Sequence, residues 1–173
     1  MSNKVYIATS VDGYISDKNN SLDWLPNPDG EDLGYEKFID SIDALVMGKN
    51  TFETVLGFGG DWVYTKKVFV VSTSLLTIPD NLATKVELIN GTPDEIIELV
   101  QKQGYKNLYI DGGKTIQGFL QYGLIDELII TTIPVLLGGG SPLFGMLESY
   151  IELEHKTTKI IKGLVQTTYI VKR

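Results

Sequence analysis

The amino-acid sequence predicts an α/β fold with a mostly parallel central sheet, an antiparallel C-terminal edge and flanking helices. Short β-rich apolar runs alternate with helix-spaced segments over most of the chain, which is typical of parallel strands joined by crossover helices. The last two apolar runs, near 150–157 and 164–172, have no helix between them, which indicates an antiparallel edge. The length of 173 residues fits one domain spanning 1–173, large enough to bury a sizeable core.

The first half of the chain predicts a strand, a long loop, a helix, a second strand and a short helix. A strand at 4–10 is followed by a polar loop over 11–30. From Glu31 onward, apolar residues recur at i, i+3, i+4 and i+7, which predicts a helix. The members of that stripe are Tyr35, Phe38, Ile39 and Ile42. The run 43–48 predicts the next strand, and the apolar spacing after Gly48 predicts a short helix directly behind it.

The second half continues the alternation. Strands are predicted at 66–72, 85–90, 107–111 and 126–136. The helix over 92–104 has clear start signals. Thr92 suits the N-cap and Pro93 suits the first helical position. Glu95, three residues after Thr92, suits the reciprocal hydrogen bond of a capping box. A further helix over 113–123 ends at a glycine, which is the usual stop residue.

Composition and charge exclude several classes of protein. The chain has no cysteine, which excludes disulfides and zinc–thiolate sites, and its one histidine, His155, has no acid–base motif beside it. No group of His and acids has ligand spacing, so no metal is expected. A net charge of −7 without a basic cluster argues against nucleic acid or an anionic membrane as partners. The sequence shows no signal peptide or spanning run, so a cytoplasmic location is expected.

Three turns that follow predicted strands have the composition of anion-binding sites. They are Gly48 to Thr51, Ser72 to Ser74, and Asp111 to Ile116. In an open parallel sheet, ligands lie beyond the carboxyl ends of the strands, and helix N-termini there favour anions. Ordinary turn chemistry is the alternative for each turn taken alone. Three such turns at successive strand ends favour a ligand with several phosphates, such as a dinucleotide, although neither the Rossmann fingerprint nor a P-loop occurs.

The segments around these turns resemble known proteins. "MGKNTFE" is similar to the M-G-R-x-T-W/F-E segment of dihydrofolate reductases, and "YIDGGKTIQGFL" to their later glycine-pair helix start. "IATSVDGYIS" and "GLIDELIITTIPVLLGGGSPLF" resemble the reductase domain of bacterial bifunctional riboflavin-biosynthesis proteins, which shares that fold. The resemblance runs from about residue 4 to 172 and implies a dihydrofolate reductase-like three-layer fold.

The resemblance also implies an NADPH site. Carried over by position, the adenosine end and its 2′-phosphate would contact Gly48, Lys49, Asn50, Thr51, Ser72, Thr73 and Ser74. The pyrophosphate would contact Ile110, Gly112, Gly113, Lys114, Thr115 and Ile116, and the nicotinamide would border Ala8 and Ile15. The family usually has arginine at the position of Lys49. Because lysine is a point charge without a bidentate fork, a softer preference for NADPH over NADH is expected.

An acid is expected to supply the proton of the reduction. Dihydrofolate reductases use an acidic residue early in the helix before the second strand, and Asp32 has a similar separation from Gly48, with Glu36 as the second candidate. Its spacing from Tyr35 predicts that Asp32 lies on the inward side of the helix. The alternative for Asp32 is a carboxylate favoured by the helix dipole. The candidate substrate contacts are Asp12, Trp24 and Tyr35. The alternative for Asp12 is a role in an ordinary turn, for Trp24 that of a loop anchor, and for Tyr35 packing in the core.

These features predict an NADPH-dependent oxidoreductase that transfers hydride to a C=N-type bond. The resemblance is greatest to 5-amino-6-(5-phosphoribosylamino)uracil reductase of riboflavin biosynthesis, and it implies a homodimer. A dihydrofolate or dihydropterin reductase is the first alternative, and a non-catalytic nucleotide-binding protein is the second. The deaminase chemistry of the bifunctional proteins is excluded, because its cysteine ligands are absent. The predicted helix "EDLGYEKFID" carries four acids and one lysine, which offers no basic clamp for a sugar phosphate.

Overall fold

The computed structural model describes residues 1–26, 32–75 and 77–172. The strands in these ranges are β1 (Ser2–Ser10), β2 (Tyr14–Ser16), β3 (Ala44–Gly48), β4 (Lys67–Val71), β5 (Val86–Ile89), β6 (Asn107–Asp111), β7 (Glu127–Ile133), β8 (Ser141–Pro142), β9 (Leu153–Ile161) and β10 (Leu164–Val171). The α-helices are α1 (Tyr35–Asp40), α2 (Lys49–Gly57), α3 (Pro93–Lys102) and α4 (Gly113–Gln121). None of these helices has the length and apolar character needed to cross a membrane.

Eight of the strands form one sheet, in the order β5-β4-β3-β6-β1-β7-β10-β9. The first six run parallel to one another. The last two pair antiparallel, β10 with β7 and β9 with β10. The predicted α/β architecture, with its antiparallel C-terminal edge, is therefore confirmed.

Helices cover both faces of the sheet, because side chains of successive strand residues point to opposite faces. In β3, Leu45 and Met47 belong to a core that includes Phe38 of α1 and Phe52 of α2. Their neighbours in the strand pack into a second core, which contains apolar residues of α3 and α4. Two helical layers with a sheet between them make the three-layer arrangement that the resemblance implies.

The order in which the chain forms the sheet leaves a crevice at the carboxyl ends of the parallel strands. Through α1 and α2 the chain moves from β1 toward β4, whereas through α3 and α4 it returns from β5 toward β7. Because crossovers between parallel strands are right-handed, the two directions put the two helix pairs on opposite faces. Ligands of such sheets lie in the crevice beyond the carboxyl ends of the strands, where α2 and α4 begin.

Several element boundaries differ from the predicted ones. The helix expected from Glu31 begins at Tyr35, because Gly34 has φ 90° and its left-handed backbone stops the helix from extending toward Asp32. The strand expected to reach 136 ends at Ile133, since Pro134 has no N–H for the ladder. Period-two patterning also did not predict the short ribbon of β2 and β8, which pair with each other through only a few residues.

Candidate active site

Two helices begin side by side at the crevice. β3 and β6 are neighbours in the sheet, with Met47 opposite Asp111. α2 starts immediately after β3, and α4 starts two residues after the end of β6. The first and third of the turns singled out in the sequence therefore lie next to each other, although they are far apart along the chain.

The two turns interlock through glycine and threonine. A Cβ built on Gly112 would overlap the hydroxyl of Thr51, and one built on Gly48 would lie 2.9 Å from Thr115 Oγ1. Each helix thus places its threonine against the glycine of the other turn. Only glycine leaves room for this, and Gly112 also has φ 88°, which favours glycine. Neither threonine hydroxyl has a hydrogen-bond partner within the described part of the chain.

The N-termini of α2 and α4 have no side-chain caps, whereas the N-terminus of α3 is fully capped. α3 begins with a complete capping box, in which the side chain of Thr92 accepts from Glu95 N and the side chain of Glu95 accepts from Thr92 N. The cap positions of α2 and α4 are glycines without any capping side chain. Since the first N–H groups of a helix need acceptors, these two adjacent ends leave donors and positive dipole ends available for an anion.

Two lysines stand at these helix starts. Lys49 Nζ donates to Ser74 Oγ at 3.4 Å and lies 3.7 Å from Glu53 Oε1. Lys114 is exposed in the first turn of α4. The pattern suits a ligand that carries one phosphate near Lys49 and Ser74 and others between the helix ends. These donors and the open N–H groups suit a ligand with several phosphates.

An open pocket of about 490 Å³, with a mostly apolar lining, adjoins this position. It lies between α2 and the segment that follows β4, and its lining includes Phe52, Leu56, Leu75, Ile78 and Pro79. Glu53 lines it as well, so the pocket continues from the Lys49–Ser74 pair. A flat apolar group such as an adenine ring suits such a lining.

Several residues predicted to contact a cofactor are engaged elsewhere. The side chains of Ile110 and Ile116 are fully buried in the core under α3 and α4, so only their backbone atoms are available to a ligand. Ser72 Oγ accepts from Ser74 N at 3.1 Å and from Leu75 N at 2.9 Å, which builds the turn. Thr73 and Asn50 are exposed near these turns.

The ribbon of β2 and β8 packs against the start of α4. A Cβ on Gly113 would lie 3.1 Å from Ile15 Cδ1 and 3.0 Å from Pro142 O. Gln117, on the next turn of α4, donates to Pro142 O at 3.0 Å. Ile15 is thus beside the glycine pair, and Ala8 is half-buried near the end of β1.

The carboxylate of Asp12 is used inside the protein. It accepts from Leu137 N at 3.1 Å and from Gly138 N at 2.8 Å. The Ser10 hydroxyl and these N–H groups hold the pKa of Asp12 below its ordinary value. Asp12 therefore ties the loop before β2 to the loop before β8, and its predicted contact with a substrate stays a prediction.

An aromatic cluster lies on the α1 side of the crevice. Ring centroids are 5.5 Å apart for Tyr6 and Tyr35, 4.9 Å for Tyr6 and Phe38, and 5.0 Å for Phe38 and Tyr109. Burial raises the pKa of Tyr35 to about 12 and also raises the pKa of Tyr64. The charge of Asp111 contributes to both increases. We call Tyr6, Tyr35, Tyr64, Tyr109 and Asp111 the tyrosine cluster.

Asp111 is the acidic residue that the sequence argument missed. It ends β6 with only 9% of its surface exposed. Burial raises the pKa of its carboxyl to about 6, although the Gly112 N–H, 2.8 Å from Oδ1, and the Tyr109 hydroxyl oppose the rise. The signal was present in "NLYIDGG", where one acid ends an apolar strand and directly precedes the glycine pair.

Asp32 does not lie on the inward side of a helix. It precedes α1 and is exposed, and its Oδ1 accepts from Tyr35 N at 2.5 Å and from Glu36 N at 3.3 Å. This is the helix-terminus arrangement that was the alternative for Asp32. Glu36 is also exposed.

Trp24 is half-buried, and its indole N–H is buried without an acceptor among the described residues. Trp62, which the sequence argument did not consider, has the same property. Its ring lies 5.8 Å from that of Phe52 and 5.4 Å from that of Tyr64, so it joins the start of α2 to the tyrosine cluster.

Comparison with known proteins identifies the family. The model of the RibD C-terminal domain matches residues 4–165. Uncharacterized protein YwjB of Bacillus subtilis is 37% identical over 170 residues, which cover 96% of this chain and 95% of YwjB.

Solved structures agree with that match. A putative riboflavin biosynthesis protein from Shewanella sp. PV-4 superposes with a TM-score of 0.95 at 47% identity, over the whole of both chains. A dihydrofolate reductase from Enterococcus faecalis, complexed with NADP(H), superposes with a TM-score of 0.67 at 20% identity, over 99% of this chain and 97% of that one, and thus shares the fold. The chain belongs to the RibD C-terminal domain family and has a dihydrofolate reductase-like fold.

Proposed function

We propose that the protein is an NADPH-dependent reductase that transfers hydride to a C=N-type bond of a pyrimidine or pterin. The observation that carries this proposal is the pair of adjacent, uncapped helix N-termini at Gly48 and Gly112. They offer donors for linked phosphates beside a buried acid, Asp111. Membership of the RibD C-terminal domain family supports an oxidoreductase.

The cofactor would lie along the crevice from Lys49 to Ile15. Lys49 and Ser74 would hold the 2′-phosphate. The starts of α2 and α4, together with Lys114, would hold the pyrophosphate. The adenine would lie in the pocket beside Phe52. Ala8 and Ile15 would border the nicotinamide, whose contribution is a hydride for the carbon of the C=N bond. The protein's part is to orient the two rings and exclude water.

A proton must reach the nitrogen of the same bond, and we assign it to Asp111. Its pKa of about 6 leaves part of the carboxyl protonated near neutral pH, which suits a general acid. Asp32 and Glu36 are exposed, and Asp32 already accepts two N–H groups of α1. We therefore prefer Asp111 as the group that delivers the proton, with Asp32 and Glu36 as candidates that mutation tests.

The test is NADPH oxidation, followed at the nicotinamide absorbance, with dihydrofolate and with the ribosylaminopyrimidine of riboflavin biosynthesis in parallel. Turnover of either compound that is lost in Asp111→Asn supports the proposal and excludes a contaminating reductase. NADPH binding without turnover of any pterin or pyrimidine would favour the non-catalytic nucleotide-binding alternative. A homodimer, which the resemblance implies, and a cytoplasmic location, which the sequence predicts, stay predictions. Sedimentation tests the homodimer.

A further inference from the structure

The polar groups available in the tyrosine cluster are mostly uncharged. Tyr109 OH donates to Tyr6 O at 2.7 Å, and Tyr6 OH donates to Leu33 O at 3.0 Å. Two hydroxyls are therefore occupied in holding β1, β6 and the segment before α1 together. The hydroxyls of Tyr35 and Tyr64 have no hydrogen-bond partner among the described residues, so they are available to a ligand.

Acidic residues lie on β6 with Tyr109 and at the start of α1 with Tyr35. Asp111 is the one carboxyl of the tyrosine cluster, and the charge of Asp32 reaches Tyr6, whose pKa is raised first by burial and partly by that charge. Glu36 follows Tyr35 on α1. Within the described ranges, no lysine or arginine makes an ion pair with Asp111, Asp32 or Glu36.

The lysines on α1, α2 and α4 have other positions. Lys49 and Lys114 stand at the helix starts that would hold the cofactor's phosphates. Lys37 is exposed on α1, with Glu36 before it and Asp40 at the end of the same short helix. A phosphate on the substrate would therefore approach carboxylates without a paired cation, and like charges at close range in a partly dry site are unfavourable.

We propose that the substrate is a flat, phosphate-free heterocycle, whose ring lies against the tyrosines and whose N–H or C=O groups bond Asp111 and the free hydroxyls. This inference rests on the proposed function, and it separates the protein from reductases of sugar phosphates. Aromatic stacking supplies contact area without charge, and a buried carboxyl paired with ring nitrogens needs no cation.

The test uses matched ligand pairs and the protein loaded with NADP⁺. One pair is 6-hydroxymethyl-7,8-dihydropterin and its diphosphate, and the other is a ribosylaminopyrimidine and its 5′-phosphate. Calorimetric titration should give a Kd about tenfold or more lower for the phosphate-free member of at least one pair. Equal or tighter binding of the phosphate esters would overturn the inference, as would binding of no member of either pair.

Oxidation of NADPH with the same four compounds separates this inference from the proposed function. Faster oxidation with a phosphate ester would keep the reductase and remove the inference. Tight binding of a phosphate-free ring without oxidation of NADPH would keep the inference about the ligand and remove the proposed reductase function.

A double variant tests the cause of the discrimination. In Asp32→Asn with Glu36→Gln, the disadvantage of the phosphate ester should shrink by about tenfold, while the Kd of the phosphate-free ring stays unchanged. Asp40→Asn removes one charge from the last residue of the same helix. It should leave unaltered the ratio between the Kd of the phosphate ester and the Kd of the phosphate-free ring. An unchanged ratio in the double variant would overturn the electrostatic explanation and the inference built on it.

Discussion

The hydroxyl of Thr51 occupies the space that a side chain on Gly112 would need. These two residues belong to different turns, yet each packs against the start of the helix that follows the other's turn. The reciprocal contact of Thr115 with Gly48 completes the pair. Together they hold two helix N-termini at a fixed separation, which is what a ligand with linked phosphates requires.

Gly112→Ala should strain this junction. A side chain there would displace Thr51, and the backbone at φ 88° is unfavourable for any other residue by about 1–3 kcal/mol. We expect a loss of NADPH affinity of about tenfold or more, because about 1.4 kcal/mol corresponds to tenfold. Fluorescence titration measures it. Gly123→Ala is the matched control, since Gly123 has φ 66° with no atom near its Cβ position. Equal affinity in both variants would show that the junction does not hold the cofactor.

Lys49→Ala should weaken NADPH more than NADH. A charge-assisted contact is worth about 1.5–3 kcal/mol, so NADPH should bind about 10- to 100-fold more weakly, while NADH hardly changes. Lys114→Ala is the comparison, because a pyrophosphate contact should affect both cofactors alike. Similar losses for NADPH and NADH in Lys49→Ala would mean that Lys49 supports the turn and does not contact the 2′-phosphate.

Asp111→Asn should lower turnover by about 10²–10⁴ and leave NADPH affinity nearly unchanged, since general acid catalysis contributes that much. The protonated carboxyl is the active form. Turnover of the unmodified enzyme should therefore fall as pH rises through about 6, the pKa of Asp111. Steady-state rates across pH measure this, and the dependence should be absent in the variant. The same pH profile in both proteins would remove Asp111 from the proton-transfer role.

Asp32→Asn should leave turnover unchanged, because asparagine also caps helices. Asp32→Ala should lower the free energy of unfolding by about 1 kcal/mol through loss of the two N–H acceptor contacts. Urea unfolding and NADPH oxidation measure the two effects. A fall in turnover of about 10²–10⁴ in a stably folded Asp32→Asn protein would restore Asp32 as the proton donor.

The burial of Asp111 should also make stability depend on pH. Its pKa is raised in the folded protein from 3.8 to about 6. The folded state therefore binds the proton more tightly, and this contribution is complete below about pH 4 and is lost as pH rises through about 6. A shift of about two units corresponds to roughly 3 kcal/mol.

Urea unfolding from about pH 4 to about pH 8 checks this expectation. Relative to the unmodified protein, Asp111→Asn should gain stability over that interval. Asp40→Asn, at an exposed carboxylate, should follow the unmodified protein. Parallel curves for all three proteins would mean that the Asp111 carboxyl is not held in a dry site.

The parts of the fold that depend on neighbouring residues in the sequence were predictable. The order of strands and helices along the chain followed from short β-rich apolar runs and period-3.6 spacing, and the capping box of Thr92 and Glu95 involves residues only three apart. The helix start after Gly48 was also evident, because glycine followed by a helical stripe is a local signal. Composition located the three turns at which an anionic ligand is expected, and the resemblance then implied that this ligand is NADPH.

The roles of individual acids depended on contacts between distant segments. The Asp12 carboxylate bonds N–H groups 125 and 126 residues away, which no local pattern indicates. Asp32 became a helix-terminus acceptor because Gly34 shortens α1.

Asp111 shows most plainly what only the tertiary structure decides. Its neighbours in the sequence are compatible with an ordinary turn, whereas burial by the packed elements raises the pKa of its carboxyl. Desolvation is a property of everything packed around a group, so a raised pKa appears only when those elements meet. Sequence determined which strands and helices form and where the glycine turns lie, whereas assembly in three dimensions decided which carboxyl is able to hold a proton.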